Sequence, residues 1–387
     1  MTDLTRRGAL GAALPLATTA CVTGGLGEAS SLPAALTTRI DDIFAAPNGA
    51  PGHAVAIFKD GETALAKGYG LANIEDGVAI TTQTRFHIAS LSKQFTGAAV
   101  ALSILDGAIA LDDPLARHLP EFDGFAHAVQ LRHLIYMTSG LPEYTSLVRR
   151  SGLPWFSAYR FTVREAIETV AAAGQLEFAP GSRWAYRNIN YMLLSEVVAR
   201  RQGLTFARFL QERVFAPLAM GDSLVDDDAT TPIAQRAIGY APREAAVVRD
   251  LNSVHIPVSE RASDWLRMAR VSPHYGGSGV FTTLADWAKW DANWTTHRLG
   301  GQRFYDLMHA RQRFAHDKDN DAFGLVLDEN QDRMSIWYSG GDIDASSYVV
   351  RFPAKRLTIV CLSNNPMGQS EQRVSQMLPA LAEASLL

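Results

Sequence analysis

Apolar and polar residues along the first part of the chain follow a pattern that predicts a helix and then a hairpin. Residues 34 to 45 place apolar side chains at the spacing of an amphipathic helix. Apolar, strand-like runs at 53–58 and 63–70 then predict two strands. Between the two runs stands Asp60-Gly61, a dipeptide typical of two-residue hairpin turns because both positions accept a positive φ. The pattern therefore predicts an antiparallel strand pair preceded by a helix.

The rest of the pattern is helical in the middle of the chain and extended again towards its end. Between about 95 and 300, apolar residues recur mostly at helical spacing, with loop residues between them. Four later runs predict strands at 323–327, 333–338, 346–352 and 356–362, and 369–386 predicts a final amphipathic helix. Strands at both ends with helices between them predict an α/β (α+β) fold. In this fold, one antiparallel sheet is built from the N- and C-terminal strands and is flanked by helices. An all-helical region is inserted at about 95–300. We expect the functional site where the sheet meets the inserted region.

Composition limits the classes of protein to which the chain can belong. Its 387 residues are 47% hydrophobic and 20% charged, which is ordinary for one large globular domain or two interleaved ones, here assigned to residues 31–387. The formal net charge of −4 gives no basic surface for nucleic acid. Trp287, Trp290 and Trp294 recur at helical spacing, which predicts a core stripe, with a substrate-facing role for one of them as the alternative.

The first thirty residues differ from the rest and predict an export signal. Arg6-Arg7 precedes an apolar run, 9–20, that is too short to cross a bilayer and resembles the core of a secretory signal, with the paired arginines indicating the twin-arginine route. Cys21 follows an imperfect lipoprotein cleavage motif. The export signal could therefore also be that of a lipoprotein, with a lipid anchor at Cys21. An exported, periplasmic or membrane-anchored protein is expected, with an unstructured N-terminus on a cytoplasmic protein as the alternative. Cys361 stands alone in an apolar run and predicts a buried strand residue.

Ser90 and Lys93 form a candidate pair of nucleophile and base. They stand three residues apart where a helical apolar pattern begins, and this pattern stops before Gly107. Residues i and i+3 share one face of a helix, so the Lys93 ammonium reaches the Ser90 hydroxyl. A hydroxyl beside a potential base is the arrangement that nucleophilic catalysis requires. Such pairs are also common on solvated helices, so the hypothesis depends on further residues.

A second candidate segment, 180–194, contains Tyr186 and Asn188. The phenol is a potential proton acceptor, and the amide can orient the lysine and a substrate carbonyl. The alternative interpretation is aromatic packing at Tyr186 and a helix cap at Asn188.

Several segments, in the same order, resemble the serine β-lactamase and penicillin-binding-protein superfamily. The most similar branch contains class C β-lactamases, D-amino-acid peptidases and esterases of the lactamase fold. The segments that carry the resemblance are 86–93, with Ser90-x-x-Lys93, 131–142, 180–194 and 276–283.

The resemblance implies a β-lactamase/transpeptidase-like fold and an acyl-enzyme mechanism. Ser90 would attack a carbonyl, Lys93 and Tyr186 would move protons, and Asn188 would help to hold the site. The Ser90 backbone N–H would supply half of the oxyanion hole, in keeping with a helix N-terminus that favours negative charge. Whether Lys93 or Tyr186 is the working base stays open. No metal or other cofactor is expected.

The third motif of the family, Lys-Thr-Gly or His-x-Gly, is altered in this chain. No Lys-[Ser/Thr]-Gly occurs, and the His274-Tyr275-Gly276 match stands too early in the family's order. The segment that fits the order is Tyr338-Ser339-Gly340, with the Gly341 backbone N–H as the second oxyanion donor. Tyrosine then replaces a cation that binds the substrate carboxylate, so carboxylate-bearing substrates are expected to lose about ten- to a hundredfold relative to neutral esters or amides.

Three functional hypotheses follow. The first is a serine hydrolase for esters or for amides such as D-residue peptides, with weak β-lactamase activity. The second is a β-lactamase or D-alanyl-D-alanine carboxypeptidase in which Arg351, Arg333 or His274 replaces the lost cation. The third is a non-catalytic sensor of the same fold. Residues 144–158 and 252–265 are expected to form the pocket walls.

Overall fold

The computed structural model describes residues 29–150, 161–253, 258–260, 263–268, 274–314, 321–330 and 333–387. The predicted export segment lies outside this part of the chain except for its last two residues. Parts of both predicted pocket walls, 151–158 and the stretches 254–257 and 261–262, lie outside it as well.

The described residues contain twelve α-helices and fourteen strands. The helices are α1 Ala34–Phe44, α2 Lys93–Leu105, α3 Leu115–His118, α4 Leu131–Ile135, α5 Tyr144–Arg150, α6 Val163–Ala173, α7 Asn188–Gln202, α8 Phe206–Leu210, α9 Ala245–Ser253, α10 Leu284–Thr296, α11 Gly301–Met308 and α12 Ser370–Glu383. The strands are β1 Ala29–Ser30, β2 His53–Lys59, β3 Glu62–Tyr69, β4 Leu71–Asn73, β5 Val78–Ala79, β6 Phe86–His87, β7 Leu224–Val225, β8 Gly239–Pro242, β9 Trp265–Met268, β10 Val280–Thr282, β11 Val326–Asn330, β12 Arg333–Asp342, β13 Ala345–Phe352 and β14 Leu357–Ser363.

The main sheet joins the two ends of the chain, as the sequence predicts. Its order is β1-β3-β2-β14-β13-β12-β11, and every neighbouring pair is antiparallel. Ile57 of β2 stands opposite Ile359 of β14 at the centre. At the β2–β3 turn Asp60 and Gly61 both have positive φ, 57° and 87°, which is the geometry that the Asp-Gly pair predicts.

Helices cover both faces of this sheet. Successive residues of a strand point to opposite faces, and in β2 Val55 and Ile57 belong to the core that α1 and α12 close. Ala54 and Ala56 belong to the larger core on the other face, which contains α2. Helix α2 is buried along nearly its whole length, in keeping with a sequence that is mostly apolar on all sides. The sheet and α2 together form the rigid support of the site.

The inserted region is mostly helical, but the prediction of an all-helical region was wrong in detail. Strands β7 to β10 lie within it, and each has only two to four residues, too few to show a period of two in the sequence. The tryptophan stripe is confirmed as core, since Trp287 and Trp290 are fully buried in α10 and Trp294 nearly so. Cys361 is buried in β14, also as predicted. No helix among the described residues has both the length and the apolar character needed to span a bilayer.

Candidate active site

Ser90 lies at the centre of a short 3₁₀ helix, Ala89–Ser92, that leads directly into α2. The preceding residue, Ala89, has a φ of 46° in the left-handed region, which is unfavourable for a residue with a side chain. Strain of this kind persists where the surrounding structure enforces it, and it is concentrated at functional sites. The predicted helix start is thus a tighter turn that aims the Ser90 side chain at the interior of the site.

Lys93 is fully buried, and its ammonium is held by three acceptors. Nζ donates to Ser90 Oγ at 3.1 Å, to Asn188 Oδ1 at 2.9 Å and to the Gly277 carbonyl at 2.6 Å. The same atom lies 4.8 Å from the ring centroid of Tyr186. Three acceptors and a π face fix the position of a side chain that is otherwise among the most mobile.

Tyr186 and Asn188 join the pair from the start of α7. The Tyr186 hydroxyl lies 2.8 Å from Ser90 Oγ, so Ser90 contacts both potential bases. Asn188 is the first residue of α7, and no side-chain cap hydrogen bond is formed at this helix start. Its amide oxygen accepts from Lys93 instead, so the alternative role as a helix cap is not observed. The structure brings Ser90, Lys93, Tyr186 and Asn188 into one cluster.

The predicted third motif lies on β12, on the other side of Ser90. A Cβ atom on Gly340 would lie 2.7 Å from the Ile88 carbonyl oxygen and 3.0 Å from the Ser90 nitrogen, so only glycine allows β12 to approach the nucleophile this closely. Tyr338 is buried beside Tyr186. Burial, the neighbouring phenols of Tyr186 and Tyr191, and a hydrogen bond to Tyr186 raise the pKa of Tyr338 well above its usual range. Tyr338 is therefore a neutral hydrogen-bond donor.

A cavity of about 400 Å³ opens in front of these residues. It is lined by Ser90, Tyr144, Thr145, Trp184, Tyr186, Asn188, His274, Ser278, Asp321, Val326, Trp337, Tyr338, Ser339, Gly341 and Asp342. Tyr144 and Thr145 come from the first predicted pocket wall. The second predicted wall contributes none of these lining residues.

Of the three residues suggested as replacements for the lost cation, the structure describes the side chains of Arg351 and His274. Arg351 lines a different cavity and pairs with Asp291 at 2.9 Å. His274 lines the active-site cavity, where its Nε2 lies 2.8 Å from the Tyr144 hydroxyl. The side chain of Arg333 lies outside the described part of the chain. Asn364, directly after β14, bonds to backbone groups of Gly52, Leu71 and Ile238.

Sequence reasoning missed Glu143, a buried carboxylate behind the cluster. Its Oε2 accepts the backbone N–H of Asn188 at 2.6 Å, while Oε1 is buried with no hydrogen-bond partner among the described residues. Burial raises the pKa of Glu143 to about 7, against the opposing effects of hydrogen bonds from Asn188 and Ile189 and of the Lys93 charge. In the sequence, Glu143 stands directly after the family-like segment 131–142, and this position is the signal that could have identified it.

The position of Glu143 predicts a pH-dependent stability. The ordinary pKa is 4.5, so between pH 4.5 and about 7 the folded chain holds a proton that the unfolded chain has released. The free energy of unfolding therefore falls as the pH rises through this window, by roughly 3 kcal/mol from this group. Denaturant unfolding at a series of pH values from 4.5 to 8 measures this dependence. In Glu143→Gln, the slope of the unfolding free energy against pH is expected to lose the part that comes from this group. An unchanged slope in the variant would contradict the assignment.

A network missed by sequence reasoning lies beside the cavity and contains His87, Ser278, Asp342 and Asp344. His87 Nδ1 lies 2.7 Å from Asp344 Oδ1, and His87 Nε2 lies 2.9 Å from Ser278 Oγ. His87, Asp342 and Asp344 are also the one group of histidine and acidic side chains in the described residues whose ligand atoms lie close enough to share a cation. Both His87 nitrogens already have hydrogen-bonding partners. We therefore interpret these side chains as a hydrogen-bond network.

The family model described as Beta-lactamase matches residues 40–382 of the chain. A D-aminopeptidase of Gluconobacter oxydans (strain 621H) is 33% identical over 190 residues, covering 49% of this chain and 35% of that protein. A D-aminopeptidase of Brucella anthropi is 29% identical over 339 residues, covering 87% of this chain and 60% of that protein. The chain thus spans about a third to three fifths of the length of these curated relatives.

Solved structures show the same fold. A D-amino acid amidase from Ochrobactrum anthropi SV3, complexed with L-phenylalanine, superposes with a TM-score of 0.74 at 21% identity over 90% of this chain and 99% of that chain. A penicillin binding protein from Bacillus halodurans gives a TM-score of 0.72 at 21% identity over 91% of this chain and 100% of that one. The architecture predicted from the sequence is therefore confirmed.

Proposed function

The chain belongs to the Beta-lactamase family, and from this premise we propose that it is a serine hydrolase that forms an acyl-enzyme on Ser90 and cleaves amides or peptides of D-residues and related esters. One observation carries the proposal: Ser90 Oγ lies 3.1 Å from Lys93 Nζ and 2.8 Å from the Tyr186 hydroxyl at the wall of a cavity large enough for a small substrate. A nucleophile in contact with two proton carriers is the requirement for acyl transfer.

The reaction then follows from the positions of these atoms. Ser90 Oγ attacks the substrate carbonyl carbon, and whichever of Lys93 Nζ and Tyr186 Oη is unprotonated takes the Ser90 proton. The backbone N–H groups of Ser90 and Gly341 would stabilise the oxyanion. The amine or alcohol leaves with a proton from the same carriers, which gives the ester on Ser90. Water attacks this ester, the acid is released, and Ser90 Oγ regains its proton.

The substrate class rests on the cavity and on the relatives. Tyr338 offers a hydroxyl where a cation would bind a substrate carboxylate, so the cavity favours neutral esters and amides at this position. The relatives and the fold neighbour named above are D-aminopeptidases and a D-amino acid amidase. Both observations support D-residue amides over β-lactams as substrates.

A panel of substrates on one purified sample tests the proposal. D- and L-phenylalanine p-nitroanilide, nitrocefin and the carboxyl methyl ester of nitrocefin are compared by kcat/KM. The D-anilide is expected to exceed the L-anilide. The kcat/KM of nitrocefin is expected to exceed that of its methyl ester by little or nothing. A cation at residue 338 would instead favour the free acid over the ester by about ten- to a hundredfold. Nitrocefin turnover well above that of the D-anilide would support the β-lactamase hypothesis instead.

A further inference from the structure

We propose that Asp342, supported by Ser278, binds the α-ammonium group of the substrate and so selects amides and peptides with a free amino terminus. This inference rests on the proposed function, because it concerns the same cavity and the same acyl transfer. It assigns a specificity role to a carboxylate and a hydroxyl that the acyl-transfer chemistry does not use.

The cavity has the charge that a cationic substrate requires. Two carboxylates, Asp321 and Asp342, contribute to its lining, and the described lining residues include no lysine or arginine. The Lys93 charge lies behind the wall, with Ser90, Asn188 and Gly277 as its acceptors. An ammonium that leaves water for a partly enclosed cavity needs such a carboxylate partner, because an unpaired buried charge is costly.

Asp342 stands next to the predicted oxyanion donor along β12. The ammonium nitrogen of an α-amino amide is two bonds from the carbonyl carbon that Ser90 attacks. Asp342 follows directly after Gly341, the predicted oxyanion donor, and both residues line the cavity together with Ser90. Asp342 thus stands one residue beyond the predicted oxyanion donor, on the strand that lines the cavity together with Ser90.

The neighbouring network holds Asp342 and Ser278 in place. Asp342 Oδ1 accepts the Ile343 N–H at 2.7 Å, and Asp342 Oδ2 lies 3.2 Å from Ser278 Oγ. His87 Nε2 lies 2.9 Å from Ser278 Oγ and also accepts the Gly279 N–H at 3.3 Å, which identifies Nε2 as the unprotonated nitrogen. The Asp344 carboxylate stabilises the same tautomer through the Nδ1–H.

Proton counting shows what this arrangement offers to a ligand. Ser278 has a single hydroxyl proton, and its oxygen lies within hydrogen-bond distance of two acceptors, His87 Nε2 and Asp342 Oδ2. When the hydroxyl donates to His87, Ser278 Oγ and Asp342 Oδ2 face each other as two acceptors. An ammonium supplies three donors, and two of them satisfy this pair of oxygens.

The test compares two substrates that differ only in the ammonium group. D-Phenylalanine p-nitroanilide carries it, and 3-phenylpropionyl p-nitroanilide does not. The wild-type chain is expected to prefer the first, and Asp342→Asn is expected to reduce the ratio of the two kcat/KM values by about ten- to a hundredfold, mainly through KM, because a bond present in both ground and transition states affects binding. Ser278→Ala is expected to reduce the same ratio by a smaller factor.

Asp41→Asn is the matched control, since it removes a carboxylate charge that pairs with Lys67 at 2.8 Å and does not line the cavity. Its substrate ratio is expected to stay within about threefold of wild type. The rate at which a fluorophosphonate labels Ser90 shows that each variant retains a folded site. A wild type that hydrolyses the D-anilide without an ammonium preference, or an unchanged ratio in Asp342→Asn, would overturn the inference and leave the proposed function intact. A wild type that hydrolyses neither anilide and takes up no label would overturn the proposed function itself.

Discussion

Ser90→Ala is expected to lower kcat/KM for the D-anilide by about 10⁴-fold or more, because the acyl-enzyme cannot form without the hydroxyl. No other described residue has the contacts of Ser90, which lies within hydrogen-bond distance of both Lys93 Nζ and the Tyr186 hydroxyl. Steady-state turnover and intact-protein mass spectrometry after a fluorophosphonate probe measure the loss. The wild type should gain one adduct that maps to Ser90, and the variant should gain none.

Ser92→Ala provides a matched control from the same turn. The Ser92 hydroxyl accepts the Val280 N–H at 3.0 Å and is buried, so its removal is expected to cost roughly 1 to 3 kcal/mol of stability. The Ser92 variant should still be labelled on Ser90. Full turnover by Ser90→Ala would refute the acyl-enzyme proposal. Labelling without turnover in the wild type would support the third hypothesis, a sensor that acylates.

Lys93→Met is expected to have the second largest effect, a loss of about 10³-fold in kcat/KM for the same substrate. Methionine approximates the length of the stem but lacks the ammonium that contacts Ser90 Oγ. The substitution also leaves the Asn188 amide oxygen and the Gly277 carbonyl without the donor that they share in the wild type. A buried acceptor that loses its donor costs about 1 to 3 kcal/mol, so lower stability should accompany the lost activity.

Comparison with Tyr186→Phe separates the two potential bases. If Lys93 takes the serine proton, Lys93→Met should slow acylation more than Tyr186→Phe does, and the reverse order would assign the step to Tyr186. Single-turnover acylation is the measurement. Lys289→Met serves as the control, because Lys289 pairs with Asp286 at 2.7 Å and does not line the cavity. A Lys93→Met enzyme that acylates at the wild-type rate would exclude Lys93 from the proton transfer.

The parts of the site that the sequence predicts are those that local spacing or motif order can specify. Ser90 and Lys93 are three residues apart, so helical geometry alone predicts their contact. Tyr186 and Asn188 stand almost a hundred residues further along, and their place depended on the resemblance to a family. Tyr338 and Gly340 were assigned from their place in the family's order of motifs, and a Cβ atom on Gly340 would lie 3.0 Å from the Ser90 nitrogen.

The residues that were missed act through contacts between distant segments. Glu143 accepts a hydrogen bond from Asn188, and His87 lies against both Asp344 and Ser278, so none of these contacts has a local pattern. His87 stands within the family-like segment 86–93, but its sequence position does not indicate either partner. The sheet was easier to predict, because apolar runs and an Asp-Gly turn specify strands directly. The strands of the inserted region were not predicted, because with two to four residues each they contain at most two periods of the pattern.

The order of strands in the main sheet also bears on when the proposed nucleophile can become reactive during synthesis. Strand β2 pairs with β14, so that Ile57 meets Ile359, and β12 carries Gly340 to the Ser90 backbone. A ribosome that has completed α2 has made Ser90 and Lys93, but not the strand that brings Tyr338, Gly341 and Asp342. Contacts of such long range form late in folding. The nascent chain therefore carries the proposed nucleophile before its site is assembled, and the proposed acyl transfer would require the last strands to have joined the first.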